Sequence, residues 1–273
     1  MAVSMADIQH LRKMTGAGMM DCKNALTEAG GDFDKAMEII RKKGQAVAAK
    51  RSDRDASEGC VLAKSTGKYA AIIALKCETD FVAKNDDFIK LTEDILDVAM
   101  EHKAADLNAV NNLKLGDVTI EQAVTDRSGI TGEKMELDGF GFVEGETASF
   151  YIHPGNKLAT IVSFNQSADQ TIAHEVAMQI AAMSPIAVNE EGVPADVLEQ
   201  EKAIAADKAR QEGKPENLIE RIAMGRINKF YKEVCLLNQD YVKDPSMTVA
   251  QYLDKSSKGL TVTGFKRVTL NED

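Results

Sequence analysis

Lys68-Tyr69-Ala70-Ala71-Ile72-Ile73-Ala74-Leu75 contains an apolar alternating run, and from Tyr69 to Leu75 it reads as a strand. Upstream, Gly59 to Lys64 and a Thr66-Gly67 turn supply a hairpin partner. Downstream, Phe88, Ile89, Leu91, Ile95, Leu96, Val98 and Ala99 recur at three- and four-residue spacing, the period of a helix. The pattern returns later in the chain. Gly145 to His153, a Pro154-Gly155-Asn156 turn, Leu158 to Phe164 and a helix from Gln170 to Met183 repeat it, with Lys157-Leu158-Ala159-Thr160-Ile161-Val162-Ser163-Phe164 lying over the opening run. The expectation is an α+β protein whose core is two β-β-α subdomains with antiparallel sheets.

Between strand and helix the first copy carries Cys77-Glu78-Thr79-Asp80-Phe81-Val82-Ala83-Lys84-Asn85, where the second has only the short polar link Asn165 to Gln170. One reading makes Thr79 or Asp80 the cap of the coming helix, with Phe81 folded back on its first turn as a staple. The other makes Phe81 a functional protrusion, because the second copy reaches its helix without those extra residues. Loops of this kind run over the surface and often carry function.

Working outward, three short helical patterns open the chain. Val3, Ser4, Asp7 and Ile8 form a capping box with a staple pair, and Thr15-Gly16-Ala17-Gly18 stops that helix. Met19, Cys22, Ala25, Leu26 and Ala29 continue a second, and a third runs from Asp32 or Phe33 to Gly44, read as a C-cap glycine. In so small a module one of Met19 and Met20 is expected to pack inward and the other to face a partner. Residues 45 to 58 have little apolar pattern beyond Val47 and read as a linker or a solvated helix extension. Residues 103 to 117 are polar and poorly patterned, and Lys134 to Val143 reads as a strand broken by Gly139 and Gly141. Asp196 to Glu212 and Glu216 to Leu237, separated by Gly213-Lys214-Pro215, read as an antiparallel helical hairpin inserted into the second subdomain. Its expected inner face is Leu198, Ile204 and Ala205 against Leu218, Ile222, Ile227 and Phe230. A helix with Val249, Tyr252 and Leu253 and a last strand, Leu260 to Val268, follow. The expected units are residues 1–54, 55–143, 144–190 with 236–273, and the arm 191–235.

Composition narrows the function. A formal charge of −10 argues against phosphate-backbone binding, whose affinity comes from Lys and Arg, so no direct nucleic-acid contact is expected. No stretch approaches the roughly 20 apolar residues of a membrane span, and the start lacks a basic, apolar leader, so no membrane role and a cytoplasmic location are expected. Cys22, Cys60, Cys77 and Cys235 are scattered as buried thiols would be, without metal spacing. The four histidines show no ligand motif, so no metal and no cofactor are expected. Ser65-Thr66-Gly67-Lys68 lacks the leading glycine of a phosphate loop. No nucleophile setting appears either, and a catalytic residue is therefore not assigned.

Leu11-Arg12-Lys13-Met14-Thr15-Gly16-Ala17-Gly18-Met19-Met20-Asp21-Cys22-Lys23-Asn24-Ala25-Leu26 and Cys77 to Asn85 closely resemble motifs of the bacterial elongation factor Ts family, and Gly213-Lys214-Pro215, Gly225-Arg226 and Leu237-Asn238-Gln239 extend the likeness over nearly the whole chain. The resemblance implies a ubiquitin-associated-like N-terminal module, a two-subdomain core and a helical hairpin. It also implies guanine nucleotide exchange on elongation factor Tu, bound in GDP-bound and nucleotide-free forms, without covalent chemistry. On that likeness Asp80 and Phe81 enter the partner's nucleotide domain, Phe81 as a wedge between helices and Asp80 near the magnesium surroundings, with Thr79 and Val82 beside them as partner-binding residues. Met19, Met20 and Lys23 touch another helix of that domain, and His153 faces the partner's third domain. Ala74 and Lys76 depart from the Glu and Asn usual before the second motif, and Asp240-Tyr241 from the usual Pro-Phe. The chain ends at Asp273 without the C-terminal helix of longer members. The alternative is a non-catalytic scaffold or adaptor acting through the helical module.

Overall fold

The computed structural model describes residues 3–270, so the readings placed on the first two residues and on Asp273 lie outside it. Three helices come first, α1 (Met5–Thr15), α2 (Met19–Glu28) and α3 (Phe33–Ala49). The first hairpin is β1 (Glu58–Ser65) and β2 (Tyr69–Cys77), followed by the short α4 (Asp80–Ala83) and the long α5 (Asp86–Glu101). Then come α6 (Leu107–Asn112), the two-residue strands β3 (Lys114–Leu115) and β4 (Val118–Thr119), and α7 (Ile120–Thr131). Strands β5 (Met135–Glu144), β6 (Thr147–Ile152) and β7 (Leu158–Phe164) lead to α8 (Gln170–Met183). The arm is α9 (Ala195–Gln211) and α10 (Glu216–Val234). After it come β8 (Asp240–Tyr241), β9 (Asp244–Thr248), α11 (Val249–Ser256) and β10 (Val262–Thr269).

The architecture is α+β. Strand β2 is the centre of one antiparallel sheet, ordered β1-β2-β5, and β7 of the other, ordered β10-β7-β6. Each half is thus a hairpin and a helix completed by a third, later strand, which the two-strand reading lacked. Alternation along β2 and β7 explains why both are buried on both faces. Ala70, Ile72 and Ala74 meet Ala159 and Ile161 between the sheets, with Val61, Ala63, Val143 and Ala148 around them. The opposite side chains, Ala71, Ile73, Leu75 and Cys77, pack under Phe88, Ile95, Leu96 and Ala99 of α5. On the far side Val162 and Phe164 pack under Ala173, Val176 and Ile180 of α8 and Val249 and Leu253 of α11. The result is a helix–sheet–sheet–helix stack. Each Leu, Ile or Phe fully buried in it stabilises the fold by about 1.5–3 kcal/mol.

Several sequence expectations change. Gly139 does not break β5; at φ +61 it sits opposite the register shift between Ile72 and Ala74, where Val268 of the second sheet leaves no space for a side chain. Residues 103–117 hold α6 and β3, starting from the Asp106 side chain, which accepts the Ala109 N–H at 2.7 Å. Gly44 is no C-cap. It lies inside α3, which continues to Ala49, and it is buried against Gly129 of α7. A Cβ on Gly44 would come within 3.3 Å of Gly129 Cα, and one on Gly129 would collide with Gly44 Cα and lie 2.8 Å from its carbonyl carbon. The segment after Gly44 is therefore no free tether, because α3 is seated on α7.

The arm also differs in its inner face. Ala205, Ala209, Ile219 and Ile227 are buried between the helices, whereas Ile204 and Leu218 point outward. Close antiparallel helices accommodate Ala at the contact, so the larger neighbour turns to solvent. Leu198 and Phe230 instead pack at the base with Ala187, Val193 and Cys235. Gly213 adopts φ +72 as a terminating glycine does, and Pro215 is the residue before the first turn of α10. Helix α10 ends at Val234, and Leu236–Asn238 form a separate tight turn.

Candidate functional site

The Cys77–Asn85 loop is a built structure. Thr79 starts α4 by accepting the Val82 N–H on its hydroxyl at 3.5 Å, and Asn85 starts α5 by accepting the Asp87 N–H at 2.9 Å. Two caps therefore serve two helices, and the Thr79-or-Asp80 cap of the long helix is replaced by Asn85. Val82 turns down onto the core, beside buried Ala83. Phe81, one residue earlier on so short a helix, points away and is 84 % exposed, which removes the staple reading. Among the described residues it is the most exposed of the large hydrophobic side chains.

Two carboxylates hold the base of the loop. Glu133 accepts hydrogen bonds from the Glu78 N–H (3.2 Å), the Thr79 N–H (3.1 Å) and the Thr79 hydroxyl (2.6 Å). In return Glu78 accepts the Lys134 N–H at 2.6 Å and Nη1 of Arg51 at 3.1 and 3.2 Å. The Lys134 amide, and behind it Arg51, hold the Glu78 carboxyl below its usual range. Burial, with Glu133 nearby, pushes the Cys77 thiol up to about 12, so it stays protonated and donates to the Thr79 carbonyl at 3.2 Å. Neither Glu133 nor Arg51 stood out in the sequence. An acid one residue past a terminating glycine, and an arginine in a charged stretch, look like solvated surface. Ala74 and Lys76 take no part in this clamp: Ala74 is buried between the sheets and Lys76 pairs with Asp138 at 3.5 Å.

At the tip, Lys84 Nζ donates to Asp80 at 2.7 Å and lowers the Asp80 pKa, so the carboxylate is charged at neutral pH. Both partners of this pair are exposed, and such pairs open readily to a competing partner. Met19 packs on the module's core of Ile8, Leu11, Cys22 and Leu26, whereas Met20 is 64 % exposed and Lys23 is also exposed on the same helix. His153 is exposed in the β6–β7 turn, with Nδ1 3.0 Å from the Tyr151 hydroxyl. That turn leans on β1: Val61 N–H donates to the Asn156 carbonyl at 2.7 Å and Lys157 pairs with Glu58 at 2.8 Å. The candidate residues thus fall on three elements. The four of the loop stand together, Met20 and Lys23 stand on α2, and His153 shares no hydrogen bond with either group.

Tyr241 is buried, stacks on Tyr252 with centroids 4.1 Å apart and donates to Glu175 at 2.8 Å. Lys243 Nζ donates to the same carboxylate at 2.8 Å, the Tyr252 hydroxyl donates to it too, and these bonds hold Glu175 down to about 2. The Asp240-Tyr241 departure therefore anchors the β8–β9 hairpin to α8. All four cysteines are free and buried. Among the described residues no cluster of His, Cys, Asp or Glu is placed to hold a metal ion, and no helix is long and apolar enough to cross a membrane.

The sequence profile described as Elongation factor TS matches residues 78–272. Elongation factor Ts of Porphyromonas gingivalis is 58 % identical over 274 residues, covering all of both chains. Its counterpart in Azobacteroides pseudotrichonymphae is 52 % identical over 272 residues, covering 99 % of each, and that of Bacteroides thetaiotaomicron is 51 % identical over 330 aligned positions, covering all of both. The clamped loop and its outward phenylalanine are therefore features of a chain that belongs to the elongation factor Ts family.

Proposed function

We propose that this protein is a cytoplasmic guanine nucleotide exchange factor for elongation factor Tu, acting by protein contact alone. The family carries a role in translation elongation. The observation that supports exchange most directly is Phe81, an exposed aromatic ring on a helix of four residues whose base is fixed by three hydrogen bonds to Glu133. A wedge must be apolar, outward and unable to fold back, and this residue is all three. On this reading Phe81 enters between helices of the partner's nucleotide domain, and Thr79 and Val82 position it. Asp80, released from Lys84, presents a carboxylate near the partner's magnesium surroundings. Met20 and Lys23, with Met19 behind them, anchor the helical module on the same domain, and His153 meets the partner's third domain. The functional units are the module and its extension (1–54), the loop-bearing half of the core (55–143), the second half, and the arm (191–235), which remains without an assigned contact.

Exchange is a coupling between two ligands of one protein. If this factor weakens GDP binding, GDP must weaken factor binding equally. Elongation factor Tu loaded with a fluorescent GDP decides between readings. Catalytic amounts of this protein should accelerate release, and added GDP should dissolve the nucleotide-free complex. Binding that neither speeds release nor responds to nucleotide would leave the scaffold reading.

A further inference from the structure

Helix α7 touches both of the elements assigned to the partner. Its inner positions Ile120, Val124 and Ser128 are buried in the core of the first sheet, or against it. Its outer positions receive α3: Asp126 pairs with Arg41 at 3.4 Å, Gln122 accepts from Gln45 at 3.3 Å, and Gly129 lies on Gly44. The turn that leads into Met19 and Met20 rests on it as well. A Cβ on Gly16 would lie 3.6 Å from Nη1 of Arg127 and 3.7 Å from Cδ1 of Ile130. The same Arg127, 13 % exposed, reaches the other way, donating through Nη2 to Asn85 Oδ1 at 3.0 Å and pairing with Asp87 at 3.3 Å. One guanidinium thus stands between the Gly16 turn and the end of the Phe81 loop. At the C-terminal end of α7, Ser128 Oγ donates to the Glu133 backbone carbonyl at 2.5 Å, tying the helix to the main chain of the residue whose carboxylate clamps Thr79.

We propose that α7 is a bracket that sets the position of the N-terminal module relative to the Asp80–Phe81 loop, with Gly129 as the positioning residue, so that both elements meet the partner in register. This rests on the exchange reading above. The Gly44–Gly129 contact is backbone on backbone, so an added methyl cannot be absorbed by a side-chain rotation. Gly129 sits in regular helix without positive φ, and Ala there favours α7 itself, so Gly129→Ala perturbs the seam and not the helix. Gly44→Ala, with its contact at 3.3 Å, is the milder companion.

The test uses the full chain with spin labels at Glu28→Cys on α2 and Lys90→Cys on α5, both exposed positions, the native thiols being buried. Gly129→Ala should shift and broaden the distance between the labels. It should raise the half-saturating concentration in the GDP-release assay by about three- to tenfold while the saturated rate stays within about twofold, because the module contributes effective concentration. Gly44→Ala should move both readouts in the same direction by less. Met20→Ser should cost little more in the Gly129→Ala background, since a displaced module no longer delivers that side chain. An unchanged distance, a changed distance with unchanged kinetics, or a full additional effect of Met20→Ser overturns the proposal. If wild-type protein leaves GDP release unchanged, the exchange reading falls and this role with it. The label distance remains a separate measure of whether the seam sets the module.

Discussion

Replacing Phe81 with alanine separates a residue kept for the fold from one kept for a partner, because only about a sixth of its surface is covered within the chain. Taking a Phe surface of about 200 Å², the covered part is about 30 Å², which at 25 cal/mol per Å² is under about 1 kcal/mol. For a chain of this size that corresponds to a melting-temperature change of about 2–3 °C at most. Burial of the exposed remainder in a partner groove is worth about 1.5–3 kcal/mol, a factor of about 10 to 150 in exchange efficiency. A bias of ten thousandfold between two states needs about 5.5 kcal/mol, so the ring cannot act alone. Phe81→Ala should therefore lower GDP release catalysed at limiting factor by one to two orders of magnitude, with circular dichroism and thermal unfolding nearly unchanged. Measuring stopped-flow release beside differential scanning calorimetry on one preparation decides the matter. A melting temperature lower by more than about 5 °C would return Phe81 to a structural role, and unaltered release would remove the wedge.

Glu133→Ala removes three acceptor contacts from the loop base and should cost about 2 kcal/mol, with amide hydrogen exchange at residues 78–82 accelerated at least about tenfold and the saturated release rate falling more than the half-saturating concentration rises. Unchanged exchange at those amides would show that the clamp does not hold the loop. Glu175→Gln addresses the second half. The carboxyl titrates near 2 in the folded chain against an ordinary 4.5, so its stabilisation is complete above about pH 4.5 and disappears as pH falls toward 2. The variant should be less stable than wild type by about 2 kcal/mol at pH 7, and the gap should close between pH 4.5 and 2; a gap independent of pH would mean that the charge is not what binds Tyr241, Lys243 and Tyr252.

The core was legible because its signals are periodic. Tyr69 to Leu75 and Leu158 to Phe164 are nearly continuous apolar runs of strand length beside turn residues, as strands buried on both faces require, and the bounds of α8 from Gln170 to Met183 follow helical spacing. Glycine was ambiguous, because the same residue ends a helix at Gly16 with φ +71 and lets two helices touch at Gly44 with ordinary helical φ. The arm's pattern placed both Ile204 and Ala205 inside, but of the two the space between the helices admits only Ala205. Of the candidate site, Phe81 was visible as an anomaly, a large ring in a loop. Its support was not, because Arg51, Arg127 and Glu133 act at long sequence separation through charges that local pattern assigns to solvent.

The insertion of the arm bears on how the chain is made. The first sheet has all its strands once Glu144 has emerged, and the β6–β7 hairpin can cover it soon afterwards. The second sheet closes only when β10 arrives: Ser163 and Thr263, whose hydroxyls meet at 2.8 Å, are separated by 100 residues. At elongation rates of about 5–20 residues per second, one edge of β7 stays unpaired for about 5–20 s of each round of synthesis. An open edge is a template for another chain's strand. While the arm is being translated, neighbouring nascent copies on one message are therefore most exposed to mispairing at Leu158–Phe164, and slow codons placed within the arm would lengthen that interval.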